Sequence, residues 1–156
     1  MTHPTWIDAW RDIGIARSQF AEAAEKLASL QSDDTVPPSF RADREAMVGL
    51  LLHNGYGAVE QAIERLLAAY DGGLPQGSNY HRDLLARAAR EVQGQRPAMI
   101  SRQTYKLLDD LRRYRHAFRH VYEKYDFTLA APNVAVAAEL MPLLEADLRT
   151  FEAATT

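Results

Sequence analysis

The amino-acid sequence predicts an all-α fold, an antiparallel bundle of four or five helices. Three observations predict it. Apolar residues recur at spacings of three, four and seven in five stretches of the chain. Those stretches are separated by breaks that carry proline, glycine or a capping residue. No segment alternates apolar and polar residues with the period of two that a half-buried strand requires.

The first helix is defined by Trp6, Trp10, Ile13, Phe20, Ala24 and Leu27, one stripe interrupted only by the charge of Arg17. The tryptophans read as core anchors rather than a ligand platform. Asp33 to Pro38 breaks the pattern, since Pro37-Pro38 cannot continue a helix. A second helix is expected from about Ser39 to Tyr70, burying Met47, Leu50, Leu51, Val59, Ile63, Leu66, Leu67 and Tyr70. Gly49, Gly55 and Gly57 each cost about 1 kcal/mol relative to alanine in a helix. The apolar phase continues across them, so close helix packing explains them better than a turn at Asn54-Gly55.

Asp71 to Ser78 is a loop, and Ser78 or Asn79 can cap a third helix carrying Leu84, Leu85, Ala88, Ala89 and Val92, ended by Gly94 to Pro97. Ser101 is a good N-cap for a fourth helix from 102 to about 124, with Tyr105, Leu107, Leu108, Leu111, Phe118 and Val121 on its apolar side. Asp126 to Pro132 reads as a loop. Asn133 would then cap a last helix lined by Val136, Leu140, Leu143, Leu144 and Phe151, with Pro142 kinking or restarting it.

The length of 156 residues fits a single domain spanning 1–156. No apolar run approaches the roughly 18 residues of a membrane span, and Met1 to Trp6 shows no signal-peptide pattern. Without cysteine, disulfides and thiolate metal sites are excluded, and a cytoplasmic location without membrane association is expected. The net charge of −3 conceals an asymmetry: residues 112 to 124 carry +4 and the remainder −7. Bulk nucleic-acid binding is disfavoured, but one segment can attract a phosphate chain.

That segment holds the candidate chemistry. Arg115, His120 and Tyr122 place a permanent cation, a group titrating near neutrality and a phenol within about two helical turns. Cleavage of RNA by its own 2′-hydroxyl needs a base, an acid and a cation to stabilise the anionic phosphorane. His120 can act as base or acid, Arg115 offers a fork of donors matched to phosphate oxygens, and Tyr122 can donate to phosphate or orient the histidine. Arg112 and Arg119 are the candidate RNA contacts. On a straight helix Arg115 and His120 lie about 140° apart. A twofold homodimer would let both copies line one cleft and would supply a second histidine.

Two other readings compete. His116 and His120 have the i, i+4 spacing of metal ligands, with Asp109 or Glu123 as a third, but the surrounding arginines repel a divalent cation. Alternatively the residues are the polar side of an ordinary helix, which spacing alone would favour.

The same residues carry a resemblance to the HEPN superfamily of small helical ribonucleases, and within it to the HepT-like toxins. The superfamily signature is an arginine, often followed by a polar residue, with a histidine after a gap of four to six. Arg115, His116 and His120 match it. The HepT-like extension adds one residue and a tyrosine, filled here by Tyr122. The stretches Leu52 to Glu60, Leu74 to Leu85, Arg96 to Ser101 and Tyr114 to Tyr122 also resemble family segments, so the likeness covers roughly 45–130. The first 35 residues and the tail after Pro132 match nothing recognisable.

The resemblance implies a metal-independent endoribonuclease toxin, without cofactor, acting on RNA as a homodimer. It also implies a nucleotidyltransferase antitoxin that transfers AMP to the motif tyrosine, here Tyr122. An attached nucleotide would bring bulk and negative charge to the place where RNA phosphate must sit. The alternative function is a non-catalytic HEPN module that binds substrate or nucleotide for a nucleotidyltransferase partner. A plain helical scaffold is a third. His81, in the stretch that resembles the family's third-helix start, is a candidate extra catalytic residue but reads better as structural, capping or bonding near the Ser78 turn, and His53 and His3 have no constellation around them.

Overall fold

Five helices form the chain: α1 Pro4–Ser32, α2 Pro38–Asp71, α3 Tyr80–Ala88, α4 Arg102–His120 and α5 Phe127–Thr155. The structure, a computed structural model, describes residues 3–120 and 127–156, and for Arg119 and His120 the backbone alone. Among the described residues there is no strand, and the all-α expectation holds.

Long-range pairs set the directions of the helices. Trp6 bonds Tyr70, Asp12 bonds Arg65, and the Leu30 carbonyl accepts from Arg41, so α1 and α2 run antiparallel. Trp10 with Glu152 and Arg17 with Glu145 make α5 antiparallel to α1. Arg17, which interrupts the apolar stripe, therefore serves as a tie between helices. Ser101 N–H and the Thr104 hydroxyl both donate to Asp147, which fixes the start of α4 against α5. Ser101 caps α4 as expected, its Oγ accepting from Thr104 N.

The core contains Trp6, Ile13, Tyr56, Ile63, Leu66, Leu84, Leu108, Leu144 and Phe151, all fully buried or nearly so. Gly55 is a point of close approach. A Cβ there would meet the Phe20 ring at 2.7 Å from Cδ1. Gly57 has open space around it, so close packing accounts for Gly55 and not for Gly57. Pro38 occupies the first turn of α2, where its missing N–H costs nothing, and Gly72 ends that helix in the left-handed region at φ 71°.

Four expectations are corrected. Met47 and Leu50 are 40% and 42% exposed, because the buried stripe of α2 runs instead through Val48, Leu51, Leu52, Tyr56 and Val59. The third helix stops at Ala88. Val92 lies in a turn, bridged to Arg96 around Gly94, whose φ is 76°. The buried Arg96 guanidinium holds that turn. It pairs bidentately with Asp71, 2.9 Å from Nη2 to Oδ2, and donates to the carbonyls of Arg87, Arg90 and Pro97.

The third correction concerns Asp126 to Pro132. Residue 126 lies outside the described residues, and 127–132 are helical. Asn133 is not an N-cap but a mid-helix residue whose Nδ2 donates to the Leu129 carbonyl at 2.7 Å. Helix α5 also passes through Pro142 without restarting. Both prolines are on the exposed side, while Ala130, Val134, Ala137, Met141, Leu144, Leu148 and Phe151 keep one buried stripe in phase. Packing of that stripe outweighs the helix-breaking tendency of proline.

The fourth correction is that α5 is, by length and composition, long and apolar enough to cross a membrane, with a mean hydropathy of 1.5 over 18 residues. Within the bundle, the same helix spends its apolar stripe on the core.

Candidate functional site

Helix α4 presents two faces. Leu107, Leu108, Leu111 and Tyr114 are buried against the bundle. Arg112, Arg115 and His116 lie along its other side and line a cavity of about 230 Å³ facing the start of α3. Ser78, Asn79, His81 and Arg82 complete the lining. Three guanidinium groups and two imidazoles therefore share one small space that no carboxylate among the described residues lines. A site so built favours an anion with several acceptor oxygens, and phosphate matches the forks of arginine.

The arginines are held differently. Arg112 Nε donates to Asp109 Oδ1 at 2.8 Å, and the other Asp109 oxygen takes Arg113 at 2.9 Å. Asp109, the local candidate for a third metal ligand, is thus occupied by two arginines. Arg82 approaches Asp83 only at 3.9 Å. Arg115 is half-buried, and its Nε is buried with no hydrogen-bond partner among the described residues. A cation in that position keeps donor capacity for a ligand.

Beneath the cavity lies a buried acid. Glu60, 5% exposed, accepts from the Tyr56 hydroxyl at 2.8 Å on one oxygen and meets His81 Nδ1 at 2.8 Å on the other. Tyr56 and Glu60 are one turn apart on α2, so their pairing is local. His81 arrives from α3, making the triad a tertiary feature. Burial, with the adjoining Glu60 carboxylate, holds the Tyr56 phenol well above its usual range, and the charges of Arg115 and Arg112 act in the opposite direction. Tyr80, next to His81, donates to Glu64 at 2.9 Å, and desolvation together with that bond pushes it up to about 12.

Of the residues singled out in the sequence, Arg112, Arg115 and His116 come together in this cavity. Tyr122 lies outside the described residues, as do the side chains of Arg119 and His120 and all of Glu123 and Lys124. His81 is not bonded to the Ser78 turn. It is tied to Glu60 and lines the cavity with Arg115. His53 packs against Phe118, ring centroids 5.4 Å apart. Its place in a stretch resembling the start of the family's third helix is the sequence signal that marks His81, and the residue that spacing does not mark is Glu60.

Comparison with known proteins gives one positive finding. A family model described as HepT-like protein matches residues 47–155, more than two thirds of the chain. The matched segment runs from the first third of α2 to the end of α5, so the tail after Pro132 lies within it, whereas α1 does not. No curated protein and no solved structure matches the chain.

Proposed function

The chain belongs to the HepT-like family, and on that premise we propose that it is a metal-independent endoribonuclease toxin with Arg115 and His120 at its centre. The observation that carries the reading is the cavity lined by Arg82, Arg112, Arg115, His81 and His116. Arginine is suited to the phosphorane, since it stays charged at every working pH and matches two phosphate oxygens at once. Histidine is suited to the proton transfers of 2′-hydroxyl attack because its ordinary pKa is near neutrality. Together they supply what the reaction demands without a Lewis acid.

The proposal has two further parts. A twofold homodimer brings Arg115 and His120 of two copies to one cleft, which their five-residue spacing on a helix otherwise hinders. A nucleotidyltransferase antitoxin silences the site by attaching AMP to Tyr122, two residues beyond the last residue of α4. The added phosphate would compete with RNA for the same cations.

The test is cleavage by the purified protein. RNA but not DNA should be cut in the presence of EDTA, leaving 2′,3′-cyclic phosphate ends. Arg115→Ala and His120→Ala should each reduce the rate by about 10²-fold or more while circular dichroism remains unchanged. Full cleavage by a folded His120→Ala protein would sink the reading. Absence of cleavage, with tight binding to a nucleotidyltransferase, would replace it by the non-catalytic module.

A further inference from the structure

We infer that His81 is a catalytic residue of this site, the base that takes the proton of the attacking 2′-hydroxyl, and that Glu60 and Tyr56 are its positioning residues. The inference rests on the ribonuclease reading and adds to it a group from α3, outside the Arg115/His120/Tyr122 motif.

Three observations converge. The first is orientation. His81 Nδ1 lies 2.8 Å from a carboxylate oxygen of Glu60, and Glu60 is almost fully buried. A carboxylate accepts and does not donate, so Nδ1 carries a proton, and the neutral ring has its lone pair on Nε2. The second is restraint. Tyr56 donates to the other Glu60 oxygen, so the carboxylate is fixed at both ends and the ring is held in one tautomer. The third is location. The His81 side chain is 40% exposed despite that anchor, and it lines the same cavity as Arg115, Arg112 and His116. A histidine whose ring is oriented through Nδ1, on the wall of a cationic cavity, has the arrangement a general base requires.

A merely structural histidine explains less. The Glu60 bond alone could brace α3 against α2, but bracing does not need the ring beside Arg115. The charged and titratable groups around His81 are Glu60 and Tyr56 from α2, Tyr80 and Arg82 from its own element, and Arg112, Arg115 and His116 from α4. Proton transfer to Nε2 leaves an imidazolium whose Nδ1 faces the Glu60 carboxylate.

The step balances as follows. The 2′-oxygen forms a bond to phosphorus while its proton passes to His81 Nε2. The phosphorus–O5′ bond breaks, and the 5′-oxygen takes a proton from the acid, the role left to His120. The products are a 2′,3′-cyclic phosphate and a 5′-hydroxyl, with His81 protonated and His120 neutral. Exchange with water restores both. The dimer cleft then holds two different histidines, His81 beside Arg115 of one copy and His120 of the other.

The experiment compares two substrates in the full-length protein: an RNA dinucleotide, and a uridine 3′-phosphate ester with a p-nitrophenyl leaving group, which departs without protonation. His81→Ala should lower kcat on both substrates by about 10²- to 10⁴-fold. It should also abolish the acidic limb of the pH–rate profile on the activated ester. His120→Ala should lose activity on the dinucleotide and regain most of it on the ester. Glu60→Gln should lower kcat by a smaller factor and shift the acidic limb to lower pH, as expected when the carboxylate that supports the imidazolium is neutralised. If His81→Ala does not fold, His81→Gln, whose amide can still donate to Glu60, carries the same expectation.

Unchanged kcat and an intact acidic limb in either folded His81 variant, with His120→Ala inactive on the dinucleotide, would overturn the role of His81 and leave the ribonuclease reading standing. A wild-type protein inactive on both substrates would overturn both.

Discussion

Two regions of the bundle solve opposite problems. At the end where α1 begins, Trp6 is fully buried between Tyr70 and Phe151, with ring centroids at 6.5 and 6.0 Å, and its indole N–H reaches the Tyr70 hydroxyl at 2.9 Å. Trp10 stacks beside it and donates to Glu152, while Arg149 lies 5.1 Å above the Trp10 ring. Large apolar area and satisfied polar tips coincide there, which is how aromatic residues contribute most to stability. Where α3 meets α4, cations are gathered with one buried acid behind them, and Arg115 Nε is buried without a hydrogen-bond partner among the described residues. Like charges in a small cavity work against folding unless an anion joins them. The aromatic end holds the bundle together, and the cationic region keeps donor capacity for a ligand.

The largest effect should come from the aromatic end. Trp6→Ala removes a fully buried ring and one of the two hydrogen bonds to the Tyr70 hydroxyl, which keeps Thr155, so a loss of about 3–5 kcal/mol is expected in urea denaturation. A loss below about 1 kcal/mol would break the contrast, since that end would then not be the stabilising one.

Arg115→Ala should do the reverse. Stability without ligand should stay within about 0.5 kcal/mol of the parent or rise, because a cation is removed from among others. Inorganic phosphate should stabilise the parent protein, by about 2.7 kcal/mol at a hundredfold excess over Kd, and Arg115→Ala should lose most of that gain. Thermal melts across a phosphate series read both quantities. An Arg115→Ala protein that melts early without phosphate would instead make Arg115 part of the scaffold.

What the sequence discloses follows the same division. The five stripes were legible because helical periodicity is local: Trp6 to Leu27 on α1, Leu51 to Leu67 on α2 and Leu140 to Phe151 on α5 each repeat in register. The close approach at Gly55 was legible for the same reason. Pro132 and Pro142 were not, because their local rule is overridden by a buried stripe that only the assembled bundle shows. Met47 and Leu50 misled because an apolar residue one position out of phase looks the same in a list. In the site, Arg112, Arg115 and His116 follow from one helix, whereas His81 and Glu60 meet across 21 residues and two helices. No spacing rule encodes that pair. Glu60 also gives no hint of being buried until α3 covers it.

The smallest expected effect distinguishes the buried acid from the cations around it. In the folded chain the Tyr56 phenol is held above its ordinary value, chiefly by burial and then by Glu60, and Tyr80 is pushed up to about 12. A phenol whose folded value exceeds its unfolded value of about 10 keeps its proton more tightly when folded. Its contribution is complete below pH 10 and is lost as pH rises beyond it, because the unfolded chain then gains stability by ionising. Denaturation midpoints should therefore be flat from pH 8 to 9.5 and fall above about pH 10. Tyr56→Phe removes one of the two phenols and should make that fall shallower, at the cost of about 1 kcal/mol across the whole range from the lost bond to Glu60. An equally steep fall in Tyr56→Phe would mean that Tyr56 is already open to water, and Glu60 would then lack the fixed position from which it orients His81.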